Sequence, residues 1–133
     1  MSREENIYFA KLAEQGERYH DMIGYMKKVA NQGQEMSAEE RNLLSVAFKN
    51  SVGQRRTAWR TISAIYNKEE FKGSRYLELI KSYKDKVEQE LSDICQDVLN
   101  LLTDVLIPNS KMAEARVTFM KMKGDYHRYL SEY

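Results

Sequence analysis

Apolar residues recur along this chain at intervals of three and four, the spacing of a helix with one buried face, and alternating runs are scarce. Ser2 and Glu5 have the capping-box spacing, which predicts a helix from Arg3, with Tyr8, Leu12 and Gln15 on one face and Gly16 ending or interrupting it. Met22, Ile23, Met26 and Val29 or Ala30 predict a second helix, with Lys27 and Lys28 suited to its C-terminal dipole and a turn over residues 31–34. Ser37 and Glu40 repeat the capping box. From there Leu44, Phe48, Val52, Trp59, Ile62 and Ile65 or Tyr66 carry one pattern to about Lys68, longer than an ordinary globular helix. After the break at Lys72-Gly73-Ser74, with Ser74 as N-cap, the positions Leu77, Ile80, Val87, Leu91, Ile94, Val98 and Val105 run to Pro108, which is expected to stop the fourth helix. Asn109 or Ser110 is expected to cap a last helix from about Lys111 that carries Val117, Met120, Met122, Tyr126, Tyr129 and Leu130. The expectation is an all-α antiparallel helical bundle with two long helices, one domain over residues 1–133. The final residues, Ser131-Glu132-Tyr133, offer no glycine or asparagine cap, so the fifth helix is expected to be cut in its middle, the chain being part of a longer one.

Composition narrows the class. The 133 residues are 42% hydrophobic and 31% charged, which is globular rather than disordered, and one proline with six glycines leaves too few breaks for a many-stranded sandwich. A net charge of +1 gives no broad field for nucleic acid, so nucleic-acid partners and membrane insertion are not expected. The lone Cys95, set among Leu91, Ile94, Val98 and Leu99, reads as a small buried hydrophobe; with no disulfide possible within the chain and a polar start at MSREENIYF, the reading is cytoplasmic, or also nuclear. His20 and His127 share no cysteine or acid constellation, and no Gly-rich phosphate loop, paired-carboxylate motif or nucleophile–base set is present. No metal, no cofactor and no enzymatic activity are therefore expected.

One stretch departs from this even mixture. Arg41 to Arg60 holds five cations (Arg41, Lys49, Arg55, Arg56, Arg60) and no acid, although the chain has 20 acids and a window of 20 should hold about three. At 100° per residue Lys49, Arg56 and Arg60 fall within about 40° of one another, with Gly53 between them, where another backbone can approach closely. The last helix answers with Lys121 and Arg128, again seven apart, with Asp125 and Glu132 four residues beyond each cation and Tyr129 alongside. Packed side by side, the two helices would bring Lys49, Arg56, Arg128 and Tyr129 together, a donor set suited to a doubly charged phosphate. The competing reading is a structural helical-bundle interaction protein without phosphate recognition, in which acids of the assembly neutralise these cations; Asp125 makes it possible.

The strings RNLLSVAFKN (41–50), the RR and WR of QRRTAWR (54–60), CQDVLNLL (95–102) and KMKGDYHRYL (121–130) resemble the 14-3-3 proteins, with KLAEQGERYHDM (11–22) among weaker matches over nearly the whole chain. The resemblance implies an all-helical dimeric adaptor that binds phosphoserine or phosphothreonine segments of client proteins. It assigns phosphate contacts to Lys49, Arg56, Arg128 and Tyr129, with Arg60 and Lys121 as further groove residues. It implies a homodimer, or a heterodimer with related chains, pairing Arg18 with Glu90, Asp21 with Lys86 and Glu5 with Tyr83, and placing Leu12, Ala58 and Ile62 at apolar interface positions. Residues 1–90 or so would then serve dimerisation and 41–133 would form half of the ligand groove. Many members carry a phosphorylatable serine where this chain has Ala58. Family chains are also longer, and their further helices supply the apolar wall of the groove.

Overall fold

The computed structural model describes residues 1–132; among them are five helices and no strand, and Tyr133 lies outside the described residues. Helix α1 spans Arg3–Gln15, α2 Tyr19–Ala30 and α3 Ala38–Lys72. Helix α4 spans Leu77–Leu101, widens into a π-helical turn over Leu102–Leu106 and closes with Ile107–Asn109, and α5 spans Ala113–Leu130. Both expected capping boxes form: Ser2 Oγ accepts from the Glu5 N–H and Ser37 Oγ from the Glu40 N–H, while each glutamate accepts from the cap residue's own N–H.

Two helix starts differ from the pattern reading. Ser74 does not cap α4; its hydroxyl accepts from the Tyr76 N–H, closing a turn before a helix that begins at Leu77. Neither Asn109 nor Ser110 caps α5. Ser110 turns back to donate to the Leu106 carbonyl at 2.6 Å, and Glu35, from the α2–α3 connection, accepts from the backbone N–H groups of Lys111 and Met112 at 2.9 Å each. Those bonds, the Met112 one first, hold the Glu35 carboxyl below its ordinary range. Among the described residues helix α5 extends to Leu130, and the Ser131 hydroxyl donates to the Arg128 carbonyl at 2.7 Å. Pro108 does end α4, and the widened turn before it fits the physics: proline lacks the N–H that would reach Asp104, and its ring crowds that carbonyl.

The core lies where all five helices meet. Ala10 and Ala13 of α1, Met22, Met26 and Val29 of α2, Leu44, Phe48 and Val52 of α3, Leu91, Cys95 and Val98 of α4, and Phe119 and Tyr126 of α5 are buried in it. Full burial of side chains such as Phe48, Leu91 or Phe119 contributes roughly 1.5–3 kcal/mol each. Helix α1 turns its alanines inward and leaves Tyr8 and Leu12 exposed, because small residues let it lie close against α2. Helix α3 buries nothing beyond Val52, and α4 nothing before Val87. The rest of both helices forms a two-helix arm. There the Trp59 indole N–H donates to Glu88 at 2.7 Å, and Lys84 lies over the rings of Trp59 and Tyr66. At the arm's tip Gly73 takes the left-handed conformation (φ 67°) that an α3 C-cap requires, and Phe71 beside it is 94% exposed.

Polar ties fix the bundle. Arg3 forks onto Glu40 at 2.7 and 3.0 Å and also donates to the Val29 carbonyl, joining α1, α2 and the start of α3. Lys27 donates to both oxygens of Asp97, joining α2 to α4.

Candidate functional site

The five cations of the acid-free window go to different places. Arg41 is buried at the foot of α3 and donates to the Met36 carbonyl at 3.0 Å. Arg55 turns toward α4, donating to Ser51 Oγ at 2.9 Å with Glu90 at 3.4 Å. Lys49 and Arg56, one helical face away, line an open cleft of about 580 Å³ with Asn50, Gly53, Gln54, Thr57 and Tyr129. Lys49 and Tyr129 also line a neighbouring cleft of about 380 Å³ with Lys121, Asp125 and Tyr126, so a groove follows the seam between α3 and α5. Arg60 is exposed one turn beyond Arg56.

Packing explains why α5 contributes here. Phe119, Met122 and Tyr126 anchor its inner face, with the Tyr126 ring edge-on to Phe48 at 6.5 Å. That leaves Lys121, Asp125 and Tyr129 to line the seam. The Tyr129 ring stands edge-on to Tyr126 at 5.4 Å, and two guanidiniums approach it: Arg56 at 4.2 Å and Arg128 at 5.5 Å from its centroid. The two guanidinium carbons therefore lie no more than 9.7 Å apart. Arg128 itself is not among the residues lining the larger cleft. It is exposed, with Asp125 at 3.4 Å. Sequence spacing put Asp125 with Lys121; Arg128, three residues on, takes it instead.

Nor is Arg56 unneutralised. Glu132 accepts from its Nε at 3.0 Å and from its terminal nitrogen at 2.6 Å, a two-bond fork across 76 residues of sequence. The hydrogen bond to Glu132 raises the guanidinium's pKa, and the same bond lowers that of the carboxyl. The acid missing from the window in sequence is thus supplied by Glu132, two residues beyond the end of α5. Behind the pair, burial pushes the Cys95 thiol up to about 11, so it stays protonated and unreactive. A Cβ placed on Gly53 would meet nothing within 4 Å, so no packing within the chain requires glycine there. Neutral groove residues such as Asn50, Gln54 and Thr57 gave no signal in sequence, since uncharged polar residues on a helix look like any solvated face.

The remaining sequence-derived positions lie on α1, α2 and the α3–α4 arm. Leu12 and Tyr83 are exposed and Ala58 and Ile62 half-buried, while Tyr8, Ile65 and Leu79 add exposed apolar surface beyond the expected interface positions. Within the chain Arg18 pairs with Asp21, Glu90 faces Arg55, and Lys86 lies over the Tyr83 ring. Glu5 is exposed and closes the α1 capping box. Among the described residues no group of histidine, cysteine and acid side chains is placed to hold a metal ion, and no helix is long and apolar enough to cross a membrane.

An all-helical cradle with a cationic groove between its third and fifth helices is the class that fold and site define. The family profile described as "14-3-3 protein" matches residues 9–133, and the chain belongs to the 14-3-3 family. It is 56% identical over 133 residues to a 14-3-3 protein homolog of Candida albicans, and 57% identical over 133 residues to the checkpoint signal transducer rad24 of Schizosaccharomyces pombe. To the 14-3-3 protein epsilon of Drosophila melanogaster it is 57% identical over 132 residues. These alignments cover 98–99% of this chain and 49–50% of the relatives, so the chain spans about half their length.

Proposed function

We propose that this chain is a phosphoserine- and phosphothreonine-dependent protein-binding adaptor, acting as a dimer in the cytoplasm by recognition and not by catalysis. The observation that carries the reading is the convergence of Lys49, Arg56 and Tyr129 on one open cleft, with Arg128 against the same tyrosine ring. Arginine forks match phosphate oxygens, and each charge-assisted bond contributes about 1.5–3 kcal/mol. Arg128 reaches the phosphate by exchanging Asp125 for it, a small cost for a long exposed side chain. Lys121 and Arg60 extend the cationic row along the groove, and Gly53 leaves its floor bare for a client backbone. Leu12, Ala58, Ile62 and Tyr83 supply the apolar part of a dimer contact. Around it Glu5, Arg18, Asp21, Lys86 and Glu90 supply the polar part. The helical-bundle alternative has one observation in its favour, the Arg56–Glu132 fork, but Lys49 lines both clefts and the groove stays open.

Fluorescence anisotropy with matched phosphorylated and plain serine peptides tests the proposal. The phosphorylated form is expected to bind at least tenfold tighter, about one net charged bond, and Arg56→Ala and Arg128→Ala should each erase that difference while leaving the fold intact. Equal affinity of the intact protein for the two peptides would refute it.

A further inference from the structure

We propose that Glu132 is a specificity-determining residue of this groove: a built-in carboxylate that occupies Arg56 and yields only to an anion of higher charge. The inference rests on the phosphate-binding reading and names what decides which anions enter.

The geometry is that of a ligand already in place. Glu132 uses both oxygens on Arg56, filling the side of the guanidinium formed by Nε and one terminal nitrogen. The Tyr129 ring covers the guanidinium at 4.2 Å, and the pair is partly screened, with side-chain exposures of 22% for Arg56 and 31% for Glu132. Arg56 and Arg60 of α3 and Arg128 of α5 all favour the ionised carboxylate, Arg56 by direct bonds, while Asp125 stands 3.4 Å from Arg128. Its hydrogen bond from Arg56 holds the carboxyl below its ordinary pKa.

Such a carboxylate competes as an intramolecular ligand, at an effective concentration in the millimolar range. An incoming aspartate or glutamate side chain that displaces it exchanges one carboxylate for another. It gains no charge and loses the freedom of an untethered ligand, so the exchange is unfavourable. A phosphate of charge −1.5 to −2 brings a third oxygen and nearly double the charge to the same three arginines, and the exchange runs forward. Glu132 thereby converts a site that would attract any anion into one that separates phosphoserine from acidic side chains.

The test uses Glu132→Gln and Glu132→Ala with three fluorescein-labelled peptides identical but for a central phosphoserine, glutamate or serine. With the unfolding midpoint unchanged, both variants are expected to bind the phosphopeptide about fivefold tighter, the scale of one partly buried ion pair. They should also bind the glutamate peptide measurably above the serine peptide, which the wild type should not. A glutamate-to-serine ratio equal in all three proteins would overturn the gate while leaving the adaptor reading intact. Weaker phosphopeptide binding by both variants would overturn it too, because the carboxylate would then be orienting Arg56. Failure of all three proteins to prefer the phosphopeptide would refute the adaptor reading and the gate together.

Discussion

Gly53 separates stability from recognition at a single position. It lies in the middle of α3, and a methyl group there would touch nothing in the chain. Glycine in a helix interior costs about 1 kcal/mol against alanine. Gly53→Ala is therefore expected to raise the free energy of unfolding in urea by about 0.5–1 kcal/mol and to weaken phosphopeptide binding, because the new methyl stands in the cleft. Unchanged affinity would show that the groove floor needs no bare backbone. Lys49 and Arg56 were legible in the sequence for a simple reason: charge and helical period are both local. Their partners were not. Arg41 and Arg55 share the same acid-free window yet serve the α3 foot and the α3–α4 contact, and Arg56 meets an acid 76 residues away. Charge statistics along a chain do not record which neighbour a fold brings round.

Helix ends show the same division. Ser2 and Ser37 cap through partners three residues away, so the spacing alone located both starts. The start of α5 was misread because its cap, Glu35, comes from a connection on the far side of α3 and α4 in sequence. The apolar faces of α1 and α5 misled in another way: Tyr8, Leu12, Val117 and Met120 are exposed, while Ala10, Ala13 and Ala115 are buried. Pattern reading favours large residues, but close helix approach favours small ones. The tie among α1, α2 and α3 yields a prediction in acid. Burial opposes ionisation of Glu40, but hydrogen bonds from Arg3 and Ser37 more than compensate, and its pKa falls below 4.5. A lowered folded-state pKa gives stability that is complete above the unfolded value and lost as pH drops through the folded one. Thermal midpoints are therefore expected to hold from neutral pH to about 4.5 and to fall below it, with a shallower acid limb in Glu40→Gln. Parallel limbs for variant and wild type would remove Glu40 from the account.

At the scale of the whole molecule, the all-α architecture and five-helix order follow from periodicity and breaks. The end of the core at Val52 does not, because the apolar pattern of α3 runs on unchanged into the arm. The arm carries Ile65, Phe71, Leu79 and Tyr83 into solvent, with Tyr8 and Leu12 exposed on α1. Sedimentation equilibrium at tens of micromolar is expected to return a dimer, and Leu12→Glu with Tyr83→Glu should return a monomer with unchanged helicity. A wild-type monomer at that concentration would remove the dimer from the proposal. One unbroken α3 carries Lys49 and Arg56 up to about its midpoint and, from Ala58 onward, the residues proposed to meet a partner. Without a hinge between the two regions, the proposed pair of chains would behave as a calliper with its jaws set. On that proposal a client bearing two phosphates would be gauged against a fixed separation, and any adjustment would have to come from the client.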